Sequence, residues 1–113
     1  VDAASFKFSD GIGKLLENIV AVELSRRNRR LFYWKNGTEL DFILRKGRQA
    51  AELINVCYSL NEKTLAREIE SLERGLAEFK DAKAMLIYWE GTPVKHDKIV
   101  FQNILDFLLA SAD

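Results

Sequence analysis

Apolar residues recur at helical spacing in two long segments of the chain. Over residues 11–28 they form a wide apolar face, which predicts an amphipathic helix. Residues 62–80 predict a second helix, with Asn61 placed to cap its first turn. The apolar stripe of this second helix consists of Leu65, Ile69, Leu72, Leu76 and Phe79. Residues 1–10 have no clear period, and we interpret them as an upstream linker or remnant before a single domain at 11–113.

Alternating apolar and polar residues between the two helices predict three strands, at 31–35, 39–45 and 50–59. Asn36 and Gly37 form the dipeptide that most strongly favours a tight hairpin, and they separate the first two of these strands. Three consecutive strands joined by short turns are typical of an antiparallel meander.

The last third of the chain predicts further strands and a final helix. A continuous apolar run at 84–89 is typical of an inner strand that is covered on both faces. A short strand at 98–101 and a helix at 103–110 follow. The predicted order is α-β-β-β-α-β, then a strand and a helix. We therefore expect an α/β fold in which helices cover the faces of a mixed sheet.

Composition narrows the class of protein further. The 113 residues suffice for one domain, and their formal net charge is zero, so no overall basic signal points to nucleic acid. Cys57 is the only cysteine, which excludes an intrachain disulfide and a cysteine zinc cluster. No apolar run approaches the roughly 18 residues of a membrane span, so we predict a cytoplasmic protein with no membrane partner. Because the chain opens at Val1 rather than Met, we interpret it as a fragment of a larger protein.

Polar residues stand in the predicted strands where apolar ones would be expected. Asp41 interrupts the second strand, and Asn55 and Cys57 share the polar face of the third. Glu17 lies at the edge of the apolar stripe of the first helix, and Glu23 lies closer to its middle. Buried acids need partners, so we predict that Glu23 pairs with an arginine. For Glu17 a structural salt bridge, and for Asp41 a place on an exposed strand face, are the alternatives to a site role.

Ordered segments of the chain resemble a known module. The element order, with an acid in the first helix and an Asp on the second strand, resembles the PD-(D/E)XK nuclease-like superfamily, which includes archaeal Holliday junction resolvases and Mrr-type restriction enzymes. A closer similarity is to the C-terminal domain of unknown function of archaeal-type AAA+ ATPases. It rests on Gly-Lys-Leu-Leu-Glu-Asn-Ile-Val at 13–20, Phe-Tyr-Trp-Lys at 32–35, Glu-Leu-Asp-Phe at 39–42, Leu-Ile-Asn-Val-Cys-Tyr at 53–58 and Ala-Arg-Glu-Ile-Glu-Ser-Leu at 66–72.

The resemblance implies a restriction-endonuclease-like core whose catalytic positions are degenerate. In that superfamily strand acids bind Mg²⁺, and a lysine helps to activate water. Glu17 matches the helix acid and Asp41 the strand Asp, whereas Asn55 stands at the Asp/Glu position and Cys57 at the Lys position. Asn offers one neutral oxygen and Cys no permanent positive charge. We therefore expect no cofactor, or Mg²⁺ held by Asp41 and Glu17 if the site is active.

Three functions follow from this resemblance. The first is a recognition module, without catalysis, that docks on the AAA+ ATPase domain of a parent chain, on another protein or on DNA. The second is an Mg²⁺-dependent, resolvase-like DNA endonuclease that uses Glu17 and Asp41, with a basic residue supplied by the second helix. The third is a homo-oligomerisation module. The basic residues expected to contact nucleic acid are Arg27, Arg30, Lys35, Lys63 and Arg67.

Overall fold

The computed structural model describes residues 3–27, 31–32 and 40–110. Three helices and five strands occur in this part of the chain. In chain order they are α1 (Ala3–Arg26), β1 (Leu31–Phe32), β2 (Phe42–Lys46), β3 (Gln49–Ser59), α2 (Glu62–Glu78), β4 (Lys83–Glu90), β5 (Ile99–Asn103) and α3 (Ile104–Leu109).

The strands form one mixed sheet in the order β1-β2-β3-β4-β5. β1 pairs with β2, and β2 with β3, in antiparallel orientation. β4 then runs parallel to both β3 and β5, with α2 as the connection from β3 to β4. The predicted α/β class with a mixed sheet is confirmed. The predicted hairpin turn at Asn36 and Gly37 lies outside the described residues.

Helices cover both faces of the sheet, so the core has two halves. On one face α1 and α3 pack against the sheet, and on the other face α2 does so. The first half contains Leu16, Val20, Leu24, Phe42, Leu44, Ile54, Val56, Ile87, Ile104 and Phe107. The second half contains Leu40, Ile43, Leu53, Cys57, Leu60, Leu72, Ala84, Leu86 and Ile99. The result is a three-layer α/β/α arrangement.

The first helix begins earlier than the sequence pattern predicts. Its predicted start at residue 11 is wrong, because α1 extends back to Ala3. The sequence pattern missed residues 3–10 of the helix because Asp10 and Gly11 resemble a helix start. A Gly inside a helix, however, costs only about 1 kcal/mol relative to Ala. Apolar packing farther along α1 offsets that cost. The assignment of residues 1–10 to an upstream linker concerns domain membership and stays a prediction.

The second helix and the inner strand follow their sequence patterns closely. Asn61 caps α2, since its side chain accepts a 2.9 Å hydrogen bond from the backbone N–H of Thr64. Along β4, Leu86 packs on the α2 side while Ile87 packs on the α1 side. Both faces of β4 are therefore covered, as predicted for an inner strand.

Candidate functional site

An open cleft of about 800 Å³ lies at one end of the sheet, where β3 and β4 finish and β2 begins. α1 contributes to it from one face of the sheet and α2 from the other. Glu17, Asp41 and Cys57, all predicted site residues, line this cleft together. The cleft is lined by four acids and two cations, namely Glu17, Asp41, Glu68, Glu90, Lys14 and Arg67, besides the Cys57 thiol.

Asp41 lies immediately before β2 and ties that end of the strand to β3. Its Oδ2 accepts a 2.7 Å hydrogen bond from the backbone N–H of Val56. Its own backbone N–H donates a 2.9 Å hydrogen bond to Oδ1 of Asn55. The Glu17 carboxyl of α1 lies near enough to the Asp41 carboxyl to raise its pKa. Asp41 thus joins β2 to β3 beside Glu17 of α1.

Burial changes the chemistry of the Asp41 carboxyl. Loss of solvent raises its pKa from an ordinary 3.8 to about 7, against the opposing hydrogen bond from Val56. The negative charges of Glu17 and Glu68 contribute to this rise to about 7, of which loss of solvent is the largest cause. With a pKa of about 7, the Asp41 carboxyl is largely protonated below neutral pH. It does not present a full negative charge there.

Asn55 is fully buried and joins the acids of the cleft to one another. Its Oδ1 accepts from the Asp41 backbone N–H, as described above. Its Nδ2 donates to Oε1 of Glu68 at 2.8 Å and to Oγ of Ser71 at 3.4 Å. An aspartate could not donate to Glu68 and would place two carboxylates in contact. The amide at this position therefore fits the hydrogen bonding around it.

The Cys57 thiol is buried beside these acids. Burial is the main reason that its pKa rises to about 12, and the charges of Glu68 and Asp41 add to the rise, against a small opposing effect of Arg67. A thiol with such a pKa is neutral at physiological pH, so it supplies neither a cation nor a thiolate nucleophile. Its chemistry is that of a small apolar side chain.

Glu68 is a site residue that the sequence analysis missed. Glu68 follows Leu65 by three positions and precedes Leu72 by four, so the helical period places it on the inward side of α2. An acid on the inward side was the available signal. Lys14 and Glu90, which also line the cleft, are solvent-exposed and carried no comparable signal.

The predicted nucleic-acid residues fall in different places. Arg67 lines the cleft, with its side chain 63% exposed and Nη2 3.8 Å from Oε2 of Glu68. Lys63 lies exposed in the first turn of α2. Arg30 and Lys35 lie outside the described residues. Of the five, Arg67 therefore has the position that a basic residue of the cleft requires.

Arg27 instead joins α1 to α3. Its Nε donates to Oε2 of Glu23 at 2.6 Å, and its Nη2 donates to the backbone carbonyl of Phe107 at 2.6 Å. The guanidinium also lies 4.5 Å from the centroid of the Phe107 ring. Glu23 accepts from Arg26 as well, and the hydrogen bonds from both arginines lower its pKa to about 2. The predicted pairing of Glu23 with an arginine is confirmed.

The cleft does not form a three-ligand metal site. Within residues 3–27, 31–32 and 40–110, no group of three or more His, Cys, Asp and Glu side chains is arranged to hold a metal ion. Of the four acids of the cleft, Asp41 accepts from the Val56 N–H and Glu68 accepts from Asn55, while the Asn55 oxygen already accepts from the Asp41 backbone N–H. The donor set therefore does not fit Mg²⁺, which demands near-octahedral oxygen coordination.

In the part of the chain that the structure describes, no helix has both the length and the apolar character of a membrane span. The cytoplasmic location stays a prediction.

Comparison with known proteins gives two relationships. A family model described as "Domain of unknown function (DUF4143)" matches residues 12–107. The uncharacterized protein MJ1544 of Methanocaldococcus jannaschii is 42% identical over 81 residues, which cover 67% of this chain and 18% of that relative. The chain thus spans less than one fifth of the relative's length. No solved structure matches the chain.

Proposed function

The chain belongs to the DUF4143 family, and we propose that this member is a restriction-endonuclease-like domain that has lost catalysis and works by recognition. In this proposal it is the C-terminal module of an AAA+ ATPase and docks on the ATPase domain or on a ligand of the parent protein. The observation that carries the proposal is the hydrogen-bonded bridge made by Asn55 between Asp41 and Glu68. The Asp/Glu position of a nuclease is thereby occupied by a structural amide.

The chemistry of the neighbouring position supports the same conclusion. Hydrolysis of a phosphodiester needs a cation to neutralise the developing charge and a group that activates water. The pKa of the Cys57 thiol is about 12, so the side chain at the lysine position is uncharged. The Asp41 carboxyl holds a proton below neutral pH because its pKa is about 7. The Cys57 and Asp41 positions therefore do not supply what hydrolysis requires.

Exposed apolar side chains support docking. Val22 on α1 is 69% exposed, and Leu109 at the end of α3 is 83% exposed. Apolar side chains that stay in contact with water are common at surfaces that receive a partner. The relative extends far beyond the matched segment, which is consistent with a module that works beside other domains. Docking on a second copy of the chain is the competing form of this role.

An Mg²⁺-dependent DNA endonuclease using Glu17 and Asp41 is the alternative, and one observation favours it. Arg67 lines the same cleft as both acids, so α2 supplies a basic side chain to this cleft. The guanidinium is always charged and can bind a phosphate with two hydrogen bonds. This alternative requires the acids to rearrange before they could hold a metal ion.

A cleavage assay tests the proposal. Labelled branched and linear DNA would be incubated with the wild-type chain and Mg²⁺ or Mn²⁺, beside Asp41→Asn and the exposed control Asp97→Asn. We expect intact DNA in every sample, with all three proteins folded by circular dichroism. Cleavage by the wild type and the control, but not by Asp41→Asn, would contradict the proposal and establish the nuclease.

A further inference from the structure

A cluster of basic side chains lies at the end of the sheet opposite the cleft. The β2–β3 hairpin and the loop between α2 and β4 meet there, around two shallow clefts of about 450 and 520 Å³. The cations that line these clefts are Arg45, Lys46, Arg48, Lys80 and Lys83, all of them exposed. We call this surface the basic end.

The basic end carries a local charge that the whole chain does not have. Its five cations face two acids, Glu52 and Asp81, so three positive charges remain in excess. The formal net charge of the chain is zero. A concentrated positive charge on a neutral molecule attracts anions to one face and orients them as they approach.

The backbone places Arg45 and Lys46 on β2, Arg48 in the turn that follows, Lys80 in the loop before β4, and Lys83 on β4. Gly47, with φ of 68°, turns the hairpin so that Lys46 and Arg48 flank it. On the neighbouring strand Glu52 of β3 pairs with Lys83 at the start of β4. Because adjacent strands lie about 4.8 Å apart, the cations from β2 to β4 form a row about 10 Å wide. The long, flexible Lys and Arg side chains in this row can contact several closely spaced anionic groups at once.

We propose that the basic end binds the phosphate backbone of a nucleic acid. This inference deepens the recognition role proposed above and rests on it. A protein partner would need apolar or aromatic anchors at the centre of the contact. In the described part of the chain, the large exposed apolar side chains are Leu15, Val22, Trp89, Val94, Val100, Leu105 and Leu109, and none lines the basic end. Phosphate backbones are bound by charge without such anchors.

The position of the basic end separates this binding from the cleft. β3 runs from Gln49 at the basic end to Ser59 at the cleft, and its eleven residues span roughly 33 Å at about 3.3 Å per residue. The acids of the cleft repel phosphate, while the basic end attracts it. A nucleic acid held by these cations therefore lies away from Glu17 and Asp41, as expected for binding without cleavage.

Fluorescence anisotropy with a labelled DNA duplex of mixed sequence tests this surface. For five phosphate contacts, we expect the logarithm of the wild-type affinity to fall against the logarithm of salt concentration with a slope of about −4.5. Lys46→Glu/Arg48→Glu should weaken binding at least about tenfold and make that slope shallower by about 2. Lys80→Glu/Lys83→Glu, on the other side of the clefts, should act in the same direction.

The matched control is Lys95→Glu/Lys98→Glu, which changes the charge equally in the loop between β4 and β5. Its affinity should stay within about twofold of wild type, with unchanged thermal unfolding in all variants. Equal losses in the control, absence of salt-sensitive binding in the wild type, or displacement of DNA by polyglutamate as effectively as by unlabelled duplex would each overturn the inference. DNA cleavage in the same samples would contradict the proposed loss of catalysis, while selective loss of binding by Lys46→Glu/Arg48→Glu would still support the surface.

Discussion

The two ends of the central sheet carry charges in contrasting ways. At the cleft, Asp41 and Asn55 are held by hydrogen bonds to the backbone and to Glu68. At the basic end, cations such as Lys46 and Arg48 are exposed on a hairpin. A polar side chain that is hydrogen-bonded to several neighbours has a fixed position. Exposed charges of one sign cost the fold little free energy, and they are available to a partner. In our proposal the cleft is therefore the structural end of the sheet, and the basic end is the binding end.

Arg27 shows that a cation can also have a structural role. It belongs to a run of cations that suggests a phosphate-binding surface in the sequence, yet its guanidinium contacts Glu23 and the carbonyl and ring of Phe107. A cation with those contacts stabilises the packing of α1 on α3. A basic residue in the sequence therefore indicates phosphate binding only when its side chain is exposed and the neighbouring charges are also positive.

Asn55→Leu should have the largest effect on stability. The substitution leaves the Asp41 N–H and the Glu68 carboxylate without their partner in a buried region, which we expect to lower the free energy of unfolding by about 3 kcal/mol. Urea denaturation measures the change. Asn18→Leu, on the exposed side of α1, is the control and should stay within about 0.5 kcal/mol. Equal losses of stability in the two variants would contradict the structural role of the Asn55 hydrogen bonds.

The pH dependence of stability sharpens the description of the cleft. Folding raises the pKa of Asp41 from 3.8 to about 7, so the folded chain binds the additional proton between these values. Stability should therefore fall by roughly 3 kcal/mol as pH rises from about 4 to about 7. Asp41→Asn should lose this dependence, and thermal unfolding across that range measures it. An unchanged slope in the variant would show that another group is responsible.

Glu23 gives the opposite sign in a separate range of pH. Its pKa falls from 4.5 to about 2, so the stability that it contributes is complete above pH 4.5 and is lost as pH falls towards 2. Glu23→Gln should therefore flatten the stability profile below pH 4.5 and leave the slope due to Asp41 in place. Thermal unfolding of this variant below pH 4.5 separates the two carboxyl groups.

Paired arginine substitutions compare a cation inside the packing with one at the basic end. Arg27→Ala removes hydrogen bonds to Glu23 and Phe107 together with the contact on the ring, and should cost about 1 to 2 kcal/mol. Arg48→Ala, in an exposed turn, should change the free energy of unfolding by less than about 0.5 kcal/mol. The difference between the two midpoints in urea is the measurement. A larger loss for Arg48→Ala would contradict the assignment of the basic end to binding.

The sequence correctly predicted those elements whose apolar residues follow one clear pattern. The stripe of α2, its Asn61 cap and the inner strand β4 depend on local spacing and on a single capping side chain, and the structure confirms all three. The start of α1 was missed because a Gly near a helix terminus and a Gly inside a helix look alike in sequence. Packing elsewhere in the helix decides between them.

The candidate site was predictable only in part. Glu17, Asp41 and Cys57 do line one cleft, because neighbouring strands bring residues far apart in sequence to the same end of the sheet. The roles of Asn55 and Glu68 depend on a hydrogen bond between β3 and α2. Its geometry is set by how the helix sits on the sheet, which no local pattern reports. The basic end was missed for the same reason, since its cations come from the β2–β3 hairpin and from the connection of α2 to β4, which are far apart in sequence.

Isothermal titration of Mg²⁺ and Mn²⁺ into the wild-type chain, at a pH above the Asp41 pKa of about 7, tests the central claim most directly. The Asp41 carboxyl is then largely ionised, so the cleft has its best opportunity to bind a metal ion. We predict no saturable heat, with the same result for Asp41→Asn and Asp97→Asn. Saturable binding in the wild type and in Asp97→Asn that disappears in Asp41→Asn would contradict this prediction and identify the cleft as a metal site.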